Sequence, residues 1–183
     1  MTYIIHEDDG KEAYLIDCGD IKPISDYLKE NGLKLKGVFL THSHFDHIYG
    51  LNRMTKKYPE VKVYTNEAGK DGLQSPKLNM SRYHEDVDDF IFTKQENVEV
   101  IGVGTLELSS INSHLSTIYT PGHDESCLTY QIEKYLFTGD SFIPGTKTIT
   151  SFPRSNKQNA KVSEQRICQF TEGTIICPGH STI

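Results

Sequence analysis

The sequence predicts a single-domain α/β protein, an αββα four-layer sandwich in which helices cover two packed sheets. Three observations carry that expectation. Short β-prone runs and helical stretches fall into two successive half-chain sets. Several β-prone runs end in a turn of small residues followed at once by His or Asp, as strands do when they finish at one edge of a layered sheet. A chain of 183 residues can bury a full core as one domain, 1–183, and no internal repeat or linker divides it.

Taken in order, residues 2–5 and 12–17 read as a hairpin around Asp9-Gly10. Residues 23–31 read as a helix with Ile24, Tyr27 and Leu28 on one face, stopped by Asn31-Gly32. A strand at 37–40 follows, then a helix over 48–58 with Ile48, Leu51 and Met54 at helical spacing, ended by Pro59. After a strand at 61–64, Asn66 caps a helix over 67–73. Residues 74–97 lack a period, and such loops carry substrate contacts, which makes Arg82, Tyr83 and His84 candidates. Two short strands are expected within 98–108 about Gly102-Val103-Gly104; with no helix-forming stretch after it, this is not a nucleotide loop. A strand at 111–120, a hairpin of 127–132 with 135–137, a helix over 159–170 and a strand at 174–177 complete the chain. The basic, polar loop 142–158 between them adds Lys147 and Arg154 as candidate contacts for an anionic group.

Composition narrows the partners. A net charge of -6 argues against a broad nucleic-acid face. No apolar run approaches membrane-spanning length, and nothing near the N-terminus reads as a signal peptide. Cys18, Cys127, Cys168 and Cys177 show no paired spacing and are expected to be reduced thiols. The expectation is a soluble, cytoplasmic protein acting on a small molecule.

The chemistry is concentrated in Thr41-His42-Ser43-His44-Phe45-Asp46-His47, where three imidazoles and a carboxylate crowd one strand end. Imidazole and carboxylate together suit a borderline divalent cation. Alternate side chains of an extended segment share a face, so His42 and His44 can hold one ion, while His47 must point elsewhere. The economical reading is two adjacent divalent ions, zinc in the first instance, with iron or manganese as alternatives. Further ligands are then required, and His123 after Thr120-Pro121-Gly122, Asp140 after Thr138-Gly139 and His180 after Pro178-Gly179 each follow a strand-like run.

These segments, with Leu15-Ile16-Asp17-Cys18-Gly19, resemble the metallo-β-lactamase fold superfamily of metallo-hydrolases, nearer its glyoxalase II-like, hydroxyacylglutathione hydrolase branch. The resemblance runs from about residue 12 to the chain end. It implies that His42, His44 and His123 hold a first metal, that Asp46, His47 and His180 hold a second, and that Asp140 bridges them. It makes Asp17 an orienting residue beside Thr41, and gives Asp46 the added catalytic role of aiming a metal-bridging hydroxide. No Gly-x-Ser-x-Gly or His-Glu-x-x-His segment supports a serine esterase or zincin. The implied activity is hydrolysis of an activated carbonyl, a thioester above all. A lactonase or phosphodiesterase, an iron-dependent persulfide dioxygenase and a non-catalytic binding module are the alternatives. Two departures bear on substrate: only Ser181-Thr182-Ile183 follow His180 where glyoxalase II adds a helical domain, and the Gly-Arg-x-Asp segment of relatives is absent after Asp140.

Overall fold

The computed structural model describes residues 1–181. Strands β1 (Tyr3–Ile5), β2 (Glu12–Ile16), β3 (Lys34–Phe39), β4 (Lys62–Thr65) and β5 (Val98–Val100) form one sheet in chain order. Strand β1 is antiparallel to β2, and the remaining neighbours are parallel. The second sheet runs β10-β9-β8-β7-β6, from β6 (Gly104–Leu108), β7 (Ser113–Tyr119), β8 (Leu128–Ile132), β9 (Tyr135–Gly139) and β10 (Ile175–Pro178). Strands β6 to β9 are an antiparallel meander, and β10 returns parallel to β9. The expected pair of strands about Gly102 is present, but β5 and β6 lie in different sheets: this glycine segment is where the chain crosses between them.

Strand periodicity sorts the core into layers. Ala13 and Leu15 of β2 face an outer cluster with Leu28, Leu51, Met54 and Leu73, whereas Tyr14 and Ile16 face a cluster between the sheets with Phe39, Leu115, Tyr130 and Phe137. On the far side Leu136 and Ile118 meet Ile167. Helices α1 (Ile21–Glu30), α2 (Phe45–Ile48), α3 (Leu51–Lys57) and α4 (Glu67–Leu73) cover the first sheet, and α5 (Lys157–Cys168) covers the second. The four-layer α/β sandwich is the expected one.

Local chemistry explains most element ends. The Asn66 side chain accepts from Gly69 N at 2.8 Å, and Asn156 accepts from Asn159 N at 2.9 Å, so α5 starts earlier than the expected residue 159. Helix α1 begins ahead of Pro23, because a first-turn residue needs no intrahelical N–H bond. The helix expected over 48–58 is two, α2 and α3, broken at Tyr49-Gly50. There Gly50 N donates to Cys18 O at 2.9 Å, and any Cβ on Gly50 would strike the Gly19 carbonyl. Loop 74–97 is aperiodic but ordered by a buried amide: Asn79 Nδ2 donates to Gly72 O and Phe90 O, while its Oδ1 accepts from Ser81 N. No helix among the described residues is long and apolar enough to cross a membrane.

Candidate metal centre

Strands of both sheets end at one rim, and the metal-type side chains meet there. The segment after β3 delivers His42 and His44 in extended backbone, then enters α2, whose first turn carries Asp46 and His47. From the second sheet come His123 after β7, Asp140 after β9 and His180 after β10. Nitrogen and oxygen atoms of His42, His44 and His123 lie within 4.8 Å of one another; so do those of His42, His47 and Asp140, and those of Asp46, His47 and His180. All seven residues named from the sequence therefore converge, in three overlapping groups.

The distances are short. His123 Nε2 lies 3.0 Å from His44 Nδ1, and His47 Nε2 lies 3.3 Å from His180 Nε2. Asp140 Oδ2 stands 3.6 Å from His123 Nε2 and 3.3 Å from His180 Nε2, with Oδ1 3.4 Å from His47 Nε2, so this carboxylate spans both ends of the cluster. Asp46 Oδ2 is 3.1 Å from His180 Nε2. His42, His44, His47 and His123 are buried, Asp140 is half-buried, and Asp46 and His180 are open to solvent.

The backbone was shaped for this approach. Gly139 has φ 51°, and a Cβ there would lie 2.6 Å from Thr41 Cβ and Oγ1. Asp17 leaves β2 with φ 60°, an uncommon conformation for a residue other than glycine, and its carboxylate turns under the cluster. Thr41 N and Thr41 Oγ1 donate to Asp17 Oδ1 and Oδ2, each at 2.7 Å, and His47 Nδ1 donates to Oδ2 at 2.7 Å. Asp17 thus contacts both Thr41 and His47 from beneath the cluster.

Charge balance follows. Burial, with His47 and His44 alongside, pushes the His42 imidazole well below its usual pKa, although Asp140 resists. Burial and His44 lower His123 likewise. Burial works against protonating His47, but Asp17, Asp140 and Asp46 outweigh it and raise its pKa to about 10. Burial works to raise the Asp140 carboxyl, yet His180 and His47 beside it hold it far below the usual carboxylate range.

The residues fit a cationic group. Neither His42 Nε2 nor Asp140 Oδ1 has a hydrogen-bond partner, although both are buried, and such orphaned acceptors cost free energy. Pairs of imidazole nitrogens face each other at 3.0 and 3.3 Å, where lone pairs repel unless a proton or cation lies between or beside them. The donor set, nitrogen with carboxylate oxygen, is that of zinc and neighbouring transition metals.

Above the cluster opens a cavity of 640 Å³, floored by His44, His123, Asp140 and His180 and walled by Met80, Tyr83, His84, Ile143, Ile149 and Phe152. Of the candidate contacts, Tyr83 and His84 line this cavity, and Lys147 lines a small adjoining space against His123 and Asp140. The other two are corrected. Arg82 is spent on an exposed ion pair with Asp89 at 2.6 Å. Arg154 turns inward to Asp124 and is largely buried, because a guanidinium finds a buried carboxylate there. Sequence reasoning missed Asp124 itself; its signal was an acid directly after His123. It also missed Phe152, whose ring sits 5.0 Å from that of His44 and 5.2 Å from that of His123.

The comparisons agree with this geometry. The Bacillus subtilis protein named probable metallo-hydrolase YqgX is 28% identical over 183 residues, covering 98% of this chain and 83% of that one. A hydroxyacylglutathione hydrolase of Pseudoalteromonas translucida is 28% identical over 136 residues, covering 73% of this chain but only 43% of the relative's own length. The crystal structure of the BLEG-1 B3 metallo-beta-lactamase superposes with a TM-score of 0.87 at 25% identity, over 99% of this chain and 86% of that one. The model of the metallo-beta-lactamase superfamily matches residues 1–180, so the two-sheet sandwich and its histidine-rich rim have one explanation: the chain belongs to that superfamily.

Proposed function

We propose that this protein is a metal-dependent hydrolase of an activated carbonyl, with a thioester as the preferred substrate class. The observation that carries the reading is the convergence of five imidazoles and two carboxylates, with unpartnered buried acceptors, on the floor of an open cavity. His42, His44 and His123 would hold one divalent cation, Asp46, His47 and His180 a second, and Asp140 would serve both. Zinc suits this set best, with iron or manganese the alternatives. Such a pair supplies Lewis acidity and a water made nucleophilic near neutral pH.

The chain's own residues do the rest. Asp46, half-exposed and lining the cavity beside His180, would accept a hydrogen bond from the attacking water and aim it. Ile143, Ile149 and Phe152 present apolar wall to an acyl group, and Tyr83 and His84 line the same cavity with polar groups for its other end. The thioester preference is supported by the hydroxyacylglutathione hydrolases among the relatives, and by the apolar wall. The test is elemental analysis of the purified protein followed by a panel of thioester, lactone and phosphodiester substrates. Two zinc ions per chain with selective thioester turnover is the expected result. A single iron with oxygen uptake, or no turnover of any ester, would overturn the proposal.

A further inference from the structure

The loop after β9 does more than wall the cavity. Its Arg154 reaches behind the histidines, where Nε donates to Asp124 Oδ2 at 2.9 Å and Nη2 to Asp124 Oδ1 at 2.5 Å. The same guanidinium donates through Nη1 to the Ala68 carbonyl at 3.0 Å and through Nη2 to Ser43 Oγ at 3.2 Å. One side chain therefore ties together the His42–His44 segment, the His123 turn and the first turn of α4. Asp124 Oδ1 also accepts from Ser126 N at 2.8 Å and Ser126 Oγ at 2.5 Å. That leaves Oδ2 facing His44 Nε2 across 3.6 Å, while His44 Nδ1 points into the cluster, 3.0 Å from His123 Nε2.

The outward nitrogens of two other ligand-type rings show what this arrangement is for. His47 Nδ1 meets Asp17 Oδ2 at 2.7 Å, and His123 Nδ1 meets the Ile149 carbonyl at 3.0 Å. In each, an acceptor fixes the proton on the nitrogen turned away from the cluster and leaves the lone pair of the other turned inward. Asp124 Oδ2 faces the outward His44 Nε2 from the corresponding side, at 3.6 Å, longer than a hydrogen bond, and that buried nitrogen has no other partner. A buried ion pair gains little over well-packed apolar residues of the same size, so stability is a weak reason for this one to be there. The fold also makes room for it: a Cβ on Gly72 would fall on Ser43 Oγ and lie 3.5 Å from Arg154 Nη2.

We propose that Arg154 and Asp124 are positioning residues of the first cation position. Asp124 keeps the His44 proton on Nε2, so that Nδ1 remains a ligand. Arg154 holds Asp124 in that orientation and locks the 142–156 loop onto the segments that carry His44 and His123. The inference rests on the reading of the cluster as a cation site, and it goes beyond that reading by naming what sets His44.

The test is Asp124→Asn beside Arg154→Lys, read by chelator competition and by imidazole nitrogen NMR. In Asp124→Asn the carbonyl can still serve Ser126 and Arg154 Nη2, but the amide then confronts two donors, Arg154 Nε and His44 Nε2. His44 relieves this by moving its proton to Nδ1, which removes the inward lone pair. The expected result is loss of one cation per chain at chelator concentrations that leave the wild type with two. The affinity of that position falls about 10–100-fold, as when the outer partner of a ligand is removed. Arg154→Lys keeps the charge without the fork and should give a smaller loss with the His44 tautomer retained. Wild-type affinity and an unprotonated Nδ1 in Asp124→Asn, with the variant folded, would overturn the proposal; should that variant not fold, an unchanged Arg154→Lys would do so. The tautomer is measured on metal-free protein as well. A wild type that binds no cation would sink the hydrolase reading and the cation role assigned here with it, whereas a wild type that binds cations yet carries its His44 proton on Nδ1 in the metal-free protein would sink this assignment alone.

Discussion

Gly179→Ala is the sharpest probe of how closely the second sheet must approach the ligands. Gly179 does not have a left-handed φ, so alanine brings no backbone strain and the substitution tests space alone. A Cβ there would overlap Asp140 Oδ1, lie 2.8 Å from His47 Cε1 and lie 3.0 Å from the Gly139 carbonyl carbon. The first two contacts can be relieved only by moving ligand side chains, and the third is backbone. Overpacking of this kind costs about 1–3 kcal/mol. For a domain of this size that corresponds to a fall of roughly 2–12 °C in Tm. Displacing Asp140 from between the groups should also weaken cation binding by about 10–100-fold, the range for disturbing the support of a ligand. Thermal unfolding and metal content per chain measure the two effects. Gly102→Ala, where a Cβ meets nothing within 4 Å, is the control and should change neither. A Gly179→Ala protein with wild-type melting and a full complement of metal would refute the claimed closeness.

Other substitutions probe separate links. Asp17→Asn keeps the shape but sets an amide donor against Thr41 Oγ1 and His47 Nδ1, so it should cost about 1.5–3 kcal/mol and lower metal content; equal urea midpoints would count against it. Asp140→Asn should cost both metal and turnover, and unchanged values for both would refute its shared role. Tyr3 donates its hydroxyl to Pro178 O at 2.8 Å, and burial, with Cys177 and Asp17 behind it, raises its pKa to about 12. The folded phenol therefore keeps its proton after the unfolded one ionises near 10, so its contribution is intact below about pH 10 and is lost between there and pH 12. Alkaline unfolding of Tyr3→Phe should lack that component; identical profiles would dismiss it.

Much of the fold was legible because periodicity and punctuation agreed. The Asn66 cap, the β1–β2 hairpin and the His42–His47 cluster are local, written in a few adjacent residues, and the structure reproduces them. What escaped is non-local. The break between α2 and α3 depends on the Cys18 carbonyl, which reaches Gly50 only after β2 and α2 have docked. Arg154 looked like a free cation because its partner stands thirty positions away, and nothing in the intervening chain announces the pairing. Loop 74–97 has no period because its order comes from one buried amide, Asn79, bonding to two carbonyls rather than from a repeating apolar face.

The rim draws His42, His44, Asp46 and His47 from one half of the sandwich and His123, Asp140 and His180 from the other. Cations seated there would act as rivets across the seam, so prising the halves apart must break coordination before it exposes the inner aromatic layer of Phe39, Tyr130 and Phe137. The escape rate of bound metal into excess chelator would then serve as a clock for that opening, readable without any substrate.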